Sequence, residues 1–310
     1  MAQSSAAVPL RIGTRGSPLA LAQARLVHER LSAAHGWAAA QIELKIIRTS
    51  GDAIQDRPLA EVGGKGLFTK EIEEALLAGA IDLAVHSAKD MPTLLPAGLV
   101  LAVCLEREDP RDVFISRKAG SLADLPQGAT LGTASLRRQA IAKRARRDLQ
   151  VMPLRGNVET RLRKLDDGEV DATILALAGL KRLGLADRAT RIMHVHEFLP
   201  AVGQGAIAIE TRENDERTRE LLARIDHADT STAIAAERAF LAELDGSCKT
   251  PIGGHATLSG DTLHFRGLIA HPDGQPSCDF AARGPRADAI KIGTEAGREL
   301  KRIAGPDLFG

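Results

Sequence analysis

A chain of 310 residues, 44% of them hydrophobic, has material for roughly two or three domains with buried cores. Lys and Arg number 41 against 40 Asp and Glu, a net charge of +1, so no global field draws the protein to nucleic acid or an anionic membrane. Anion recognition must come from local clusters, and 3% aromatics with no tyrosine argue against a base-stacking platform.

The chain opens without a basic segment followed by an apolar run, and no stretch approaches a membrane span, so a soluble cytoplasmic protein is expected. Residues 10–14 read as a first strand, with a turn at Arg15-Gly16. Ser17 is placed to cap a helix that has Pro18 at its first position, and Leu19, Ala22, Leu26 and Leu31 mark its apolar stripe. A second strand spans 42–47. Val62-Gly63-Gly64-Lys65-Gly66-Leu67-Phe68 is a glycine-rich loop outside the nucleotide-binding patterns; it is either a flexible cover for a ligand or a set of turn glycines. A helix over 69–78 ends at Gly79.

Ile81-Asp82-Leu83-Ala84-Val85-His86-Ser87-Ala88-Lys89-Asp90-Met91-Pro92 follows. Its first half reads as a buried strand, and its second half delivers hydroxyl, ammonium and carboxylate groups to the carboxyl edge of a sheet. Ligands of open α/β sheets bind at that edge, although Lys89 and Asp90 are equally readable as a solvated pair.

Beyond the charged, proline-broken linker 105–110 the plan repeats. Leu131-Gly132-Thr133-Ala134-Ser135 echoes Ile12-Gly13-Thr14 with Ser17, and 165–175 echoes 77–85: a helix ends at glycine and an aspartate opens a strand. Two similar α/β lobes facing one another are implied, with helix N-termini at the cleft. Ser135 with Arg137 and Arg138, and Arg155-Gly156-Asn157 before Arg161, combine backbone N–H groups with guanidinium, which suits carboxylate or phosphate. Lys143, Arg144, Arg146 and Arg147 read as a solvated helix face. Residues 178–185 read as a loop that adds the cation of Arg182.

Residues 200–205 form a second hinge, and a strand at 206–210 is expected to return to the first lobe. A helix at 230–244, strands at 263–268 and 278–282, and a helix at 288–303 make a smaller α+β unit. The expected domains are residues 1–105 with 200–224, residues 106–199, and residues 225–310.

The three cysteines, Cys104, Cys248 and Cys278, are too widely spaced for a disulfide framework or a metal cluster, and no metal is expected. Cys104 and Cys278 sit in apolar or strand contexts. Cys248, between Gly246-Ser247 and Lys249-Thr250-Pro251, lies on a loop beside a cation, conditions that favour a reactive thiolate.

Ile12-Gly13-Thr14-Arg15-Gly16-Ser17-Pro18, the Val62–Phe68 loop, Val85-His86-Ser87-Ala88-Lys89-Asp90, Thr133-Ala134-Ser135-Leu136-Arg137-Arg138, Leu154-Arg155-Gly156-Asn157-Val158, Ala201-Val202-Gly203-Gln204-Gly205 and the cysteine loop resemble, in order, the porphobilinogen deaminase (hydroxymethylbilane synthase) family. The resemblance implies two periplasmic-binding-protein-like α/β lobes with a hinge and a small C-terminal domain. It implies a transferase of haem and tetrapyrrole biosynthesis that joins four porphobilinogen molecules with loss of ammonia and releases hydroxymethylbilane. A dipyrromethane cofactor would be bound covalently through Cys248, with Asp90 catalytic. Ser87, Lys89, Thr133, Ser135, Arg137, Arg138, Arg155 and Gly156 match cofactor contacts; Arg15, Arg161, Arg182, Lys65, Phe68 and Gln204 match substrate contacts. The implied protein is a cytoplasmic monomer with no nucleic-acid or membrane partner. One departure is local: Ser247 stands where the family loop often has a second glycine before the cysteine.

Two other readings are open at this level, a two-lobed anion-binding protein without activity and a nucleic-acid binder. The near-zero charge and sparse aromatics disfavour the second. Against the first stand Asp90, which would repel an anionic ligand, and Cys248, for which a receptor has no use.

Overall fold

A computed structural model describes residues 9–53, 68–244, 250–305 and 308. Short apolar runs bounded by glycine and polar residues form β1 (Leu10–Thr14), β2 (Ile42–Ile46), β3 (Leu83–Ser87) and β4 (Leu99–Cys104). After a crossover come β5 (Asp112–Ser116), β6 (Thr130–Gly132), β7 (Gln150–Met152), β8 (Ala172–Ala176) and β9 (Arg191–Ile192). The chain then crosses back into β10 (Ile207–Arg212).

The two sheets have orders β2-β1-β3-β10-β4 and β7-β6-β8-β5-β9. In each, the first three strands are parallel and the last two pairings are antiparallel. β1 thus corresponds to β6 and β3 to β8, the pairs whose sequences echo one another. The fourth position is taken in each lobe by the strand that has just crossed from the other lobe, so the first sheet is completed only by the return crossover. The crossovers run side by side, with Glu108 N–H donating to Gly205 O at 3.2 Å.

Helices form where caps and apolar spacing agree. In α1 (Pro18–His35) the Ser17 hydroxyl accepts from Ala20 N–H. α2 (Lys70–Leu77) ends before Gly79, whose φ of 67° is open to glycine without strain. In the second lobe, Ser135 caps α3 (Leu136–Ala145) and Asn157 caps α4 (Val158–Asp166). The buried face of α1 is Ala20, Gln23, Ala24, Val27 and Leu31, rotated from the expected stripe, so Leu19 and Ala22 are only partly covered. Residues 178–185, expected as a loop, include α5 (Leu177–Arg182): Leu177, Ala178 and Leu180 are buried, and that burial outweighs the low helix propensity of Gly179.

α6 (Glu216–Ala223) leads to the C-terminal unit of α7 (Ala228–Glu243), β11 (Ile252–Ser259), β12 (Thr262–Ala270), β13 (Ser277–Pro285) and α8 (Ala289–Ala304). Its three strands are antiparallel, and Phe240 and Phe265 meet in the core with ring centroids 4.8 Å apart. β11 escapes sequence reading because Gly253-Gly254 resembles a loop. Its glycine instead permits close packing: a Cβ on Gly254 would lie 2.8 Å from Val202. Lys143 and Arg144, expected on a solvated face, pair with Asp273 and Asp279 of this unit.

A buried ion pair bolts the third unit to the crossovers. Glu237 of α7 accepts from Arg107 Nη1 at 2.6 Å, from Gly203 N–H at 2.7 Å and from Ala256 N–H at 2.8 Å. Arg107 Nε in turn donates to Gln204 O at 2.9 Å. Replacing Glu237 by Gln removes the charge and turns a donor toward donors. We expect a loss of roughly 3–5 kcal/mol of stability, read as a lower denaturation midpoint.

Candidate active site

β1 and β3 end side by side at Thr14 and Ser87, and a cavity opens at that carboxyl edge. Arg15, Ser17, Gln23, Phe68, Ser87 and Asp90 are among its lining residues. The backbone turns through a short 3-10 segment, Ala88–Asp90, which leaves Lys89 and Asp90 exposed while Met91 is buried. Behind the edge, buried His86 Nε2 lies 3.2 Å from the buried Glu210 carboxylate of the neighbouring strand.

Ser87 is held from α1: its Oγ accepts from Gln23 Nε2 at 2.8 Å. Gln23 is a site residue that the sequence reading missed. Its signal was an amide on the buried face of a helix, 3% exposed. The Arg15 guanidinium carbon lies 4.1 Å from the centre of the Phe68 ring, a cation–π contact.

The second lobe presents its groups at two helix starts. Thr133 Oγ1 accepts from Ser135 N–H at 3.1 Å, and the Ser135 hydroxyl caps α3 by accepting from Arg138 N–H at 3.3 Å. Gly156, at φ 109°, turns the chain into the Asn157 cap, and Arg161 Nε donates to Gly156 O at 2.8 Å. Arg161 feels Asp90 across the cleft. Burial and repulsion by Arg138 outweigh that attraction and, with Arg155, lower its pKa to about 10, so it stays cationic at neutral pH. Arg182 lies at the hinge, donating to Gly205 O at 2.7 Å; burial lowers its pKa and Glu108 opposes the shift.

Arg137 and Arg138, expected to face a ligand, are only 5% and 6% exposed. Both are turned onto Asp112, a buried carboxylate at the start of β5 that sequence reading also missed. Arg137 Nη2 donates to Asp112 Oδ2 at 2.7 Å and its Nη1 to Leu199 O at 2.6 Å; Arg138 Nη2 donates to Asp112 Oδ1 at 2.8 Å. Burial would raise the Asp112 carboxyl, but the two guanidiniums hold it at about 2. Gln204 is 1% exposed, donating to Pro110 O at 2.8 Å and Asp112 Oδ1 at 3.0 Å. Its Oε1 accepts from Lys89 Nζ at 3.4 Å. Lys89 keeps contact with solvent through the cleft, yet the protein atoms crowding its ammonium desolvate it. With repulsion from Arg138 and Arg137, this outweighs Asp90 and Asp112 and lowers its pKa to about 8.

Lys65 and Cys248 lie outside the described residues. Of the other cysteines, Cys104 is fully buried and its thiol is pushed up to about 12 by burial, so it offers no thiolate; Cys278 is half-buried in β13.

The two like lobes and their cation-rich, hinged cleft define a two-lobed α/β protein suited to an extended anion. The chain belongs to the porphobilinogen deaminase family: residues 10–220 match the model described as porphobilinogen deaminase, dipyromethane cofactor binding domain. Residues 231–302 match that of the porphobilinogen deaminase C-terminal domain. The porphobilinogen deaminases of Nitrobacter hamburgensis and Nitrobacter winogradskyi are each 63% identical over 298 residues, covering 96% of this chain and 94% of theirs. Among solved structures, a nutrient binding protein from Burkholderia cenocepacia bound to methionine is 16% identical over 69% of this chain and 90% of that one, with a TM-score of 0.41. The periplasmic aliphatic sulphonate binding protein of Escherichia coli is 17% identical over 78% and 72%, also with a TM-score of 0.41.

The donor set fits a dicarboxylated group. Besides the cations, Arg137 Nε is buried and has no hydrogen-bond partner among the described residues, so it has a donor to spare for an anion.

Proposed function

We propose that the protein condenses four porphobilinogen molecules head to tail, on a dipyrromethane primer held through Cys248, and releases hydroxymethylbilane by hydrolysis. The observation that supports this most is the Asp90 carboxylate at a cleft edge where Arg15, Lys89 and Arg161 gather. Each pyrrole unit carries an acetate and a propionate, so the growing chain is a polyanion, complementary to those cations and to Arg155 and Arg182. A receptor for such a chain gains nothing from a carboxylate in its path.

Transfer chemistry gives Asp90 a purpose. When ammonia leaves the aminomethyl group, positive charge spreads over the substrate's pyrrole ring. A carboxylate held against the ring N–H stabilises that charge in the transition state more than in the neutral substrate. When bound, the dipyrromethane supplies the ring carbon to which the first unit is joined. Ser87, Lys89, Thr133, Ser135, Arg137, Arg138, Arg155 and Gly156 would hold its carboxylates. Arg15, Phe68, Arg161, Arg182 and Gln204, with Lys65, would line the path of the substrate and the lengthening chain. We place the protein in the cytoplasm as a monomer, with domains 1–105 plus 200–224, 106–199 and 225–310. The direct test is an assay of ammonia and bilane release from porphobilinogen; no release by purified protein contradicts the reading.

The cations should divide by step. Arg137 and Arg138 also neutralise Asp112, so half-buried Arg155 is the cleaner probe of primer binding. Arg155→Leu should yield protein with little dipyrromethane, whereas Arg182→Leu should carry it and accumulate partly elongated chains. Native gels and intact masses after substrate addition read the stage; arrest of both variants at one stage would refute the division.

A further inference from the structure

Two cations of the cleft directly, and a third through one amide, converge on a residue that no motif singled out. Asp112 is completely buried and lies where the first crossover enters β5. It accepts from Arg137 and Arg138 of α3 and from the Gln204 amide of the return crossover. Gln204 passes the contact on, since its carbonyl accepts from Lys89. The line Lys89–Gln204–Asp112–Arg137/Arg138 therefore joins the end of β3, which carries Asp90, to the second lobe through both crossovers.

We infer that Asp112 is a positioning residue of the active site: it fixes Arg137 and Arg138 directly and Lys89 through Gln204, so one buried carboxylate sets where three cations stand and how much charge they present to the cleft. Two guanidiniums beside an ammonium repel one another, and burial removes the water that would screen them. Without a carboxylate at this point the cheapest relief is loss of the Lys89 proton, because arginine does not give up its own near neutral pH. Among the described residues, the charged groups facing Lys89 are Asp90 on its own turn, Asp112 on β5, and Arg137 and Arg138 on α3. Of the two carboxylates only Asp112 is tied to both arginines, so its loss leaves Asp90 alone against them.

The inference rests on the reading of Lys89 as part of a polyanion site, but its test does not use turnover. The reactivity of Lys89 toward an amine-acylating reagent, followed across pH by peptide mass spectrometry on the purified protein, reports its free-amine fraction. Asp112→Asn should move the Lys89 midpoint to lower pH and raise its acylation rate near pH 7, about fivefold for a fall of one pKa unit from about 8. Asp112→Glu, which keeps the charge, should restore a midpoint near that of the unaltered protein. Asp112→Asn leaves two buried guanidiniums uncompensated and is at risk of misfolding. Gln204→Met keeps the arginine clamp, removes the acceptor for Lys89 together with the amide donor to Asp112 and Pro110, and should shift the midpoint the same way by a smaller step. A Lys89 midpoint unchanged in folded Asp112→Asn, or in Gln204→Met where the first variant does not fold, overturns the inference. A protein that shows the shifts but makes no bilane would refute the transferase reading and leave the role of Asp112 standing.

Discussion

Asp90→Asn should lower bilane production by about two to three orders of magnitude, the effect of removing one preorganised group worth ~3–4 kcal/mol in the transition state. The substitution keeps shape and hydrogen-bonding atoms and deletes only the charge. Asp90 is exposed at the end of a short 3-10 turn, so folding should survive, and the thermal midpoint should stay near that of the unaltered protein. The loss should fall on kcat rather than on substrate affinity, because the carboxylate opposes an anionic substrate in the ground state and acts only once positive charge develops. Arg161 faces the same carboxylate from the other lobe, so the variant also removes an attraction across the cleft. A KM that rose while kcat held would locate Asp90 in lobe closure and not in charge stabilisation. Near-normal bilane production would contradict the electrostatic role outright.

Much of this arrangement was legible because local chemistry writes it. Ser17, Ser135, Gly79 and Gly168 announce helix starts and ends through capping and positive φ, interactions that close within a few residues. The echo between the halves correctly paired β1 with β6 and β3 with β8, since the same turn and cap chemistry recurs at each. What stayed hidden depends on distant parts of the chain. Asp112 looks like an ordinary charge at a linker until the folded chain brings Arg137, Arg138 and Gln204 around it. Gln23 is one polar residue in a helix until Ser87, 64 residues on, meets it. The short helix at Leu177–Arg182 and the strand at Ile252–Ser259 were obscured by glycines whose purpose is tight packing, a property of the neighbour and not of the residue. The burial of Arg137 and Arg138 belongs to the same class: a sequence reports two cations at a cap, and only the fold reports that a carboxylate already holds them.

The second large effect concerns the thiol. Cys248→Ser should yield protein without dipyrromethane, since a hydroxyl is a far weaker nucleophile than a thiol near neutral pH. Cys104 cannot substitute: it is fully buried and its thiol is raised to about 12 by that burial. Cys278 lies on β13, an edge strand of the C-terminal sheet, opposite Ile269 of β12, and Cys278→Ser should leave the primer in place. The variant lacking the primer should also be less stable, because cations of both lobes lose the carboxylates that bind them and a ligand that binds only the folded state no longer contributes. Intact-mass spectrometry of protein made in a host that supplies porphobilinogen tests the account most directly. The account predicts a protein heavier than its sequence by two linked pyrrole units, with the increment retained in Cys104→Ser and Cys278→Ser and absent in Cys248→Ser. A mass equal to the bare sequence, or an increment that survives in Cys248→Ser, would contradict it.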